Sequence, residues 1–325
     1  MVAFIKDFRT WETRPGPVPI LDYDLVIDSL EKELSSVTVP SRSISRSDAG
    51  NWLIMSGSVY MISQVKPQEH QAELTLLSPL DAFSRLIPYE EQPEGQTVGG
   101  FVAAMLQKHW VYCTDPVYAI PYLTVSNSDT VPLVPPELGN NGLVDIPAYC
   151  RLMRRTHRVK VSFELAGKNL HCRIAQSPAV AHQVSFSDGR SQLKRVDYST
   201  ATTAKITAIQ EGVETTWYLS DSGEISQDVP AVRAAGSWQT ITVPANADVA
   251  EKVTETFAKG RSGSKVEFMS KLDLAVLSDC TFMIYGELLR SHISCKRKRY
   301  NDSRFYYKAG ELATTATEKL RGVIA

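Results

Sequence analysis

The stretch from Gly286 to Arg321 constrains the fold of this chain more than any other part of it. Leu288 to Tyr300 has the composition of a strand. Tyr300-Asn301-Asp302-Ser303 favours a tight turn, because such residues tolerate positive φ or hydrogen-bond their own backbone. Arg304 to Lys308 is rich in aromatic residues, which suit the pleated surface of a second strand. Leu312 to Leu320 is typical of a short helix. The stretch contains no catalytic motif, and it predicts a closing hairpin that can act as an assembly surface.

Composition places the chain among ordinary globular proteins. Its 325 residues predict two or three domains, and 43% hydrophobic with 22% charged residues is enough to build a buried core. A net charge of −1 excludes a globally basic nucleic-acid binder but leaves local basic patches open. The five cysteines form no C-x-x-C pair, which is typical of reduced thiols in a protein made in a cytosol.

Targeting segments and metal sites are not predicted. Met1 to Asp7 lacks a basic stretch followed by a long apolar core, so it does not predict a secretory signal. No apolar run approaches the roughly 20 residues that span a bilayer. These features predict a soluble cytoplasmic product, or one released by lysis. His171-Cys172 has no matching second pair nearby, so we expect no metal and no cofactor.

The first third of the chain alternates apolar with polar side chains in short segments. Ile20 to Leu30 has the pattern of a half-buried strand, and Gln71 to Leu77 repeats it. Asn51 to Met55 and Val59 to Val65 read as a pair joined at Ser56-Gly57. Together these segments predict a small antiparallel barrel or sandwich. Leu80 to Ile87 has helical spacing and stops before Pro88.

Two further helices are predicted from their caps. Thr97 is an N-cap for a helix that Trp110 closes. Asp145 caps a second helix that runs to Thr156, with Pro147 in its first turn. A hairpin of Arg158–Leu165 and Leu170–Ala175 follows directly. A helix followed by a hairpin predicts a compact α+β unit.

The rest of the chain predicts more strands and one helix. We expect Leu193–Ser199 to pair with Thr203–Gln210, and Trp217–Leu219 to pair with Glu224–Ser226 across Asp221-Ser222-Gly223. Asp248 to Lys259 predicts a helix with a charged outer face and Gly260 after its end. Further segments have β-like composition: Gln183–Phe186, Trp238–Val243, Val266–Met269, Ala275–Leu277 and Thr281–Tyr285.

The predicted fold class is mainly β with α+β pieces, including a helix-hairpin insertion. The predicted boundaries give an N-terminal β domain with closing helices at 1–110. A connector with the helix-hairpin unit follows at 111–182. A second β domain with the C-terminal hairpin and helix occupies 183–325.

The order of these pieces resembles a known family. Ser78–Ile87 carries S-x-L-D-A-F-S-R-L-I, and Thr97–Leu106 carries T-V-G-G-F-V-A-A-M-L. The helix and hairpin of Ile146–Ile174 follow, and Ser294–Leu312 supplies the cations, the turn, the aromatic strand and the next helix start. In this order the chain resembles the baseplate hub, or tail-associated hub, proteins of long-tailed bacteriophages and phage-tail-like particles.

The resemblance implies that 1–110 and 183–325 are two small β-barrel-like domains, with the helix-hairpin unit as an insertion. It also implies a structural virion protein of the tail tip or baseplate and no enzyme activity. Hub proteins of this family form a trimer on the tail axis, beneath the distal tail ring. They convert the six-fold tube to three-fold symmetry above a central fibre or spike. The implied partners are therefore the chain itself as a homotrimer, a distal tail or tail-tube protein, and a central fibre or spike protein. Many relatives carry a C-terminal enzyme extension, so we expect any enzyme here to be a separate subunit.

The basic run Lys296-Arg297-Lys298-Arg299 has three interpretations. The favoured one is contact between subunits, and plain solvation is the second. The third is passing contact with DNA in the axial channel, which one short run would supply only weakly. The residues predicted at the subunit interface are Arg297, Arg299, Tyr300, Arg304 and Tyr306. A second basic patch, Arg151 to Arg158, is explained by its complementing a helix dipole.

An alternative function is a carbohydrate-binding or cell-wall-degrading tail protein. The chain has scattered Trp, Tyr and acidic residues, and Glu90 or Glu91 could be half of a carboxylate pair. Five tryptophans could stack sugars, although core packing is their more common use. A third interpretation is a tail-ring or receptor-binding protein of the same kind of particle.

Overall fold

The computed structural model describes residues 1–90, 93–136, 142–198, 203–220, 224–231, 236–245, 247–259 and 264–310. These residues divide into two units. The first unit consists of 1–181, 270–279 and 295–307. The described residues of the second lie within 182–269, 280–294 and 308–310. The predicted division at residues 110 and 182 stays a prediction.

The strands, in chain order, are β1 (Val2–Lys6), β2 (Val18–Pro19), β3 (Asp22–Ser29), β4 (Ser35–Pro40), β5 (Trp52–Met55), β6 (Ser58–Pro67), β7 (Gln71–Leu77), β8 (Leu86–Pro88), β9 (Leu123–Asn127), β10 (Leu143–Asp145), β11 (Val159–Ala166), β12 (Asn169–Gln176), β13 (Ala181–Val184), β14 (Ser191–Tyr198), β15 (Thr203–Gln210), β16 (Val213–Leu219), β17 (Ile225–Ser226), β18 (Ser237–Thr242), β19 (Ser264–Ser270), β20 (Asp279–Ile284), β21 (Glu287–Arg299) and β22 (Phe305–Gly310). The α-helices are α1 (Pro79–Ala82), α2 (Val98–Leu106), α3 (Ile146–His157) and α4 (Val249–Lys259).

The first unit is built around a curled antiparallel sheet in the order β3-β4-β7-β6-β5-β1-β2. The segment 18–29 bends at Ile20-Leu21, so that β2 pairs with β1 while β3 pairs with β4. At the bend the Leu21 N–H donates to the Thr38 carbonyl at 2.9 Å. The sheet therefore wraps around one apolar core, whose members include Ala3, Ile5, Val18, Leu25, Val37, Val39, Leu53, Ile62, Leu74 and Leu76.

Strict alternation in the sequence produces this core. Every second residue of β4 and of β7 is buried, because successive side chains of a strand point to opposite faces. The predicted fold class, mainly β with α+β pieces, is confirmed. The strand order of the described residues is an open path rather than a closed ladder, and the curling at Leu21 gives it its barrel-like form.

A second apolar core in the first unit lies between α2, α3 and the β11–β12 hairpin. Both predicted caps are confirmed: the Thr97 hydroxyl accepts the Gly100 N–H, and the Asp145 carboxylate accepts the Ala148 N–H. The helix predicted to end at Trp110 is α-helical to Leu106 and continues as a π-helix over Gln107–Val111, one residue past the predicted end. The predicted hairpin is confirmed, and β12 also pairs in parallel with β9.

Three sequence-based expectations are wrong in detail. The helix expected over 80–87 ends at Ala82, because Leu86–Pro88 instead pairs with β10. Ala275–Leu277 is a turn, in which the Ser278 N–H donates to the Ala275 carbonyl and Leu277 has φ of 71°. The predicted pairing of β14 with β15 does not form, because β14 pairs with β19 while β15 lies between β16 and β18.

The second unit contains a four-stranded sheet in the order β17-β16-β15-β18, with α4 on one face. Val253 and Phe257 of α4 are fully buried against Ile206 and Leu219 of the sheet. The predicted β16–β17 pair is confirmed by its register, in which Leu219 lies opposite Ile225. The predicted turn at 221–223, Gly260 and the helix expected at 312–320 lie outside the described residues.

No helix in the described part of the chain is long and apolar enough to cross a membrane.

The start of α2 generates a stability prediction. A Cβ added at Gly99 would lie 2.8 Å from the Asp129 Cβ, while the Gly99 N–H donates to that carboxylate at 2.8 Å. We expect Gly99→Ala to lower the free energy of unfolding by about 1–3 kcal/mol, since overpacking outweighs the helix preference of alanine. Thermal or urea unfolding measures the change.

Gly100→Ala is the matched control. Its added Cβ would meet the flexible Gln96 side chain at 3.1 Å, which can move aside, so we expect a smaller loss than at Gly99. Equal stability of the two variants would contradict the prediction.

Candidate functional site

The basic run predicted as an assembly surface forms the end of β21 and pairs with β3. Cys295 to Arg299 run antiparallel to Ser29 through Asp24, with a register shift between Lys296 and Arg297. Lys296 and Lys298 both contact the Phe305 ring, whereas Arg297 and Arg299 both reach Asp24. The four cations therefore divide into a lysine face and an arginine face, as alternation along a strand requires.

The lysine face is covered by Phe305 of β22, by the loop before that strand and by Asp273. Lys296 is buried, forms an ion pair with Asp273, and has its Nζ 4.1 Å from the centre of the Phe305 ring. The Lys298 Nζ lies 4.7 Å from the same ring and donates to the Arg304 carbonyl at 3.4 Å. Both lysines thus cover an aromatic ring with their cationic ends, a favourable contact in a site withdrawn from water.

The arginine face is held by carboxylates of the same chain. Arg297 donates from Nε to Asp24 at 2.8 Å and from Nη1 to Glu33 at 2.6 Å. Arg299 lies 3.4 Å from Asp24 and 4.4 Å from the centre of the Tyr306 ring. Its side chain is 47% exposed, against 16% for Arg297. Arg297 therefore stabilises the strand pair, whereas Arg299 also faces solvent.

The predicted interface residues occupy different environments. Arg297, Arg299 and Tyr306 are brought together beside Asp24. The Tyr300 N–H donates to the Tyr23 carbonyl at 2.9 Å, and the two rings meet edge to face at 5.4 Å. Arg304 binds the Asp302 carboxylate through its backbone N–H and its Nε. Their assignment to a subunit interface stays a prediction, in which Arg299 is the residue most available to a neighbour.

The second basic patch, Arg151 to Arg158, belongs to a charged cluster between α3 and β3, and sequence reasoning missed the carboxylates of this cluster. Arg154, itself buried, donates to both oxygens of Asp28 at 2.6 and 2.7 Å, and the Lys160 Nζ donates to the same carboxylate at 2.8 Å. One turn earlier on α3, Arg151 forms an ion pair with buried Asp81. The spacing of three between the two arginines, which places them on one helix face, is the signal that could have indicated a shared ion-pairing role.

Asp28 is ionised because of these partners. Burial alone would raise the pKa of Asp28, but the charges and hydrogen bonds of Arg154 and Lys160 outweigh it, so the pKa lies below its ordinary value. The patch around Arg151 therefore does more than complement the helix dipole. It cross-links α3 to the barrel-like sheet.

A cavity of about 160 Å³ lies beside this cluster, with Asp28, Asp81, Arg151, Arg154 and Lys160 in its wall. The cations and the two aspartates of that wall pair with each other. Such pairing of buried charges within one chain is typical of a structural joint.

Other candidate residues are engaged in packing or in exposed pairs. Glu90 binds Lys108, and Glu91 lies outside the described residues.

Cys172 is fully buried, which raises its pKa, and both ring nitrogens of His171 contact hydroxyls, those of Thr124 and Ser126. Within the described ranges no group of three or more His, Cys, Asp or Glu residues could hold a metal ion.

The tryptophans separate into buried and exposed members. Trp11, Trp52 and Trp110 are buried in the second core of the first unit. The Trp52 Nε1 donates to the Tyr122 hydroxyl at 2.7 Å. Trp238, in the second unit, is 65% exposed. Trp217 is partly buried and packs against the core of the second unit. Core packing, the more common use, is thus confirmed for four of the five.

The chain matches no protein-family model and no curated protein. Solved structures do match it. A component of the phage P2 baseplate in its activated conformation is similar over 96% of this chain and 99% of its own, with a TM-score of 0.54 and 10% identity. The 43 kDa tail protein of prophage MuSo2 from Shewanella oneidensis is similar over 98% and 100%, with a TM-score of 0.51 and 10% identity. The chain has the fold of phage tail and baseplate proteins. The resemblance predicted from the order of elements is thereby confirmed at the level of fold.

The Asp28 cluster generates a prediction about stability. We expect Asp28→Asn to lower the free energy of unfolding at pH 7 by about 3 kcal/mol, because buried Arg154 loses its counter-charge. The depressed pKa makes the Asp28 contribution fully present above the unfolded-state pKa, near 4, and lost as the pH falls through the lower folded-state value. Urea unfolding of both proteins at several pH values measures the difference, which should shrink below about pH 4.

The control is Asp22→Asn, an exposed carboxylate on the same strand, which should change stability by less than about 0.5 kcal/mol. A constant difference between the native protein and Asp28→Asn from pH 7 to pH 3 would show that the ion pairs do not stabilise the fold.

Proposed function

We propose that the chain is a structural protein of a phage tail or phage-tail-like particle and acts as its trimeric baseplate hub. The observation that carries the proposal is the likeness of fold over 96–98% of the chain to a component of the P2 baseplate and to a prophage tail protein. In this role the chain links a tail tube or distal tail ring to a central fibre or spike. Its location is the tail tip of the virion.

The ion pairs within the first unit support a structural role. Lys296 and Arg297 of β21 and Arg151 and Arg154 of α3 are engaged by carboxylates of the same chain, which stabilises the fold. The charges of Asp24, Glu33 and Asp273 offset those of the basic run. Phosphate binding requires uncompensated positive charge, so this arrangement favours a subunit contact over DNA as the role of the exposed part of the run.

The surface proposed for trimer contact is centred on Arg299. It is the exposed member of its run, and the ring of Tyr306 beside it orients its guanidinium. An arginine held over an aromatic ring retains free N–H donors for a neighbouring carboxylate. Tyr300 and Arg304 lie in the adjoining turn and strand and complete the proposed surface.

Native mass spectrometry on the purified protein tests the proposal directly. We expect a species of three times the chain mass, together with binding to the tail-ring protein of the same particle. A stable monomer that binds no tail-ring partner at micromolar concentration would overturn the hub assignment.

A substitution locates the contact. We expect Arg299→Gln to weaken trimer formation by about tenfold or more, because an arginine that bridges to a neighbour contributes about 1.5–3 kcal/mol. Its melting temperature should stay near that of the native protein, since an exposed ion pair contributes little to folding. Concentration-dependent mass measurement gives the dissociation constant.

Arg173→Gln is the matched control, because Arg173 is an exposed arginine on β12 of the same unit. Equal trimer stability in the two variants would show that Arg299 does not lie at the interface. The hub proposal itself would still be decided by the native mass measurement.

A further inference from the structure

The four-stranded sheet of the second unit has a face opposite α4. Ile206 and Ala208 of β15 are in the core with α4, so the intervening residues of that strand point to the other side. The register places Lys205 between Tyr218 of β16 and Trp238 of β18, all in one row. Thr207 lies between Thr216 and Thr240 in the next row. These six residues are called the Trp238 face below.

Trp238 is held in place while most of it remains in water. It is 65% exposed, yet its Nε1 donates to the Thr207 hydroxyl at 3.3 Å. The Lys205 Nζ lies 4.3 Å from the centre of the Trp238 ring and 5.8 Å from that of the Tyr218 ring. The indole is thus orientated by a hydrogen bond and a cation–π contact. A large aromatic group held rigid at the surface loses little entropy when a ligand covers it.

The polar groups around the ring are hydroxyls and one ammonium. Thr216 and Thr240 flank the Thr207 hydroxyl that binds the indole, and Thr240 is exposed. A hydroxyl both donates and accepts hydrogen bonds, and an ammonium donates three. An apolar ring face bordered by such groups matches a pyranose ring, which has an axial C–H face and hydroxyls around its rim.

We propose that the Trp238 face is a binding site for an oligosaccharide, with one pyranose ring stacked on the open face of the indole. Thr240 and Thr216 and the Lys205 ammonium hydrogen-bond its hydroxyls, and Tyr218 borders the next sugar unit. This site lies in the second unit and does not depend on the proposed hub role, so each can fail without the other.

Charge and composition favour this ligand over nucleic acid or protein. Among the described residues of β15, β16 and β18, Lys205 is the one cation on this face, and Glu214 lies two rows away. Single-stranded nucleic acid is held by aromatic platforms lined with several cations, which this face lacks. A protein interface core requires several adjoining apolar groups, whereas the neighbours of Trp238 here are mostly threonines.

Titration of the intact protein followed by ¹H–¹⁵N NMR tests the proposal. The probes are an N-acetylglucosamine hexamer and maltohexaose, and the signal followed is the Trp238 indole N–H, assigned from its loss in Trp238→Phe. We expect at least one oligosaccharide to shift this signal in a saturable way. Trp238→Ala should weaken binding by about tenfold or more, because it removes the whole stacking surface. Lys205→Met should weaken it severalfold.

Tyr285→Ala is the matched control. It removes an aromatic side chain that is 85% exposed in the same unit but off the Trp238 face, and binding should be unchanged. The proposal is overturned if neither oligosaccharide shifts the indole signal, or if Trp238→Ala binds as tightly as the native protein. A twelve-nucleotide oligothymidine that shifts the indole when neither sugar does would assign the face to nucleic acid instead.

Discussion

Two carboxylates on one strand, Asp24 and Asp28 of β3, hold together segments that lie far apart in sequence. Asp28 binds Arg154 and Lys160 from the helix-hairpin element, and Asp24 binds Arg297 and Arg299 from β21. These carboxylates are partly or largely withdrawn from water, so loss of a cation would leave a charge that the protein solvates poorly. The first unit therefore depends on cations that reach β3 from two directions.

Much of the local structure could be predicted from the sequence. Thr97 and Asp145 cap their helices by accepting a hydrogen bond from the backbone N–H three residues later. This bond is local and needs no contact with the rest of the fold. The β11–β12 hairpin follows for a similar reason, since its strands alternate and its loop contains Gly167 at positive φ. In each case the interacting groups are neighbours in the chain.

Two of the three errors arise where distant segments decide the structure. Leu86–Pro88 has helical spacing, but pairing with Leu143–Asp145 satisfies its backbone as a strand. The basic run is evident in the sequence as four consecutive cations. Its carboxylate partners could not be assigned, because they lie as many as 273 positions away. The Trp238 face was hidden for the same reason, because its three strands are brought side by side by the sheet and not by spacing. The predicted interface residues were located by sequence as part of a charged hairpin. The sequence could not distinguish exposed Arg299 from enclosed Arg297.

β3 and β21, the strand that pairs with its edge, lie far apart in the sequence, and this distance affects folding while the chain is being synthesised. Asp24 bonds to a residue synthesised 273 positions later. At 5–20 residues per second, a ribosome takes roughly 15–50 s to supply that partner. Throughout this interval β3 has one edge without its final neighbour, and exposed strand edges invite pairing with other chains. Until Arg297 and Arg299 are made, Asp24 is a negative charge on this open edge and repels identical nascent strands. The residue that secures this edge in the finished unit thus also protects it while the chain is being made.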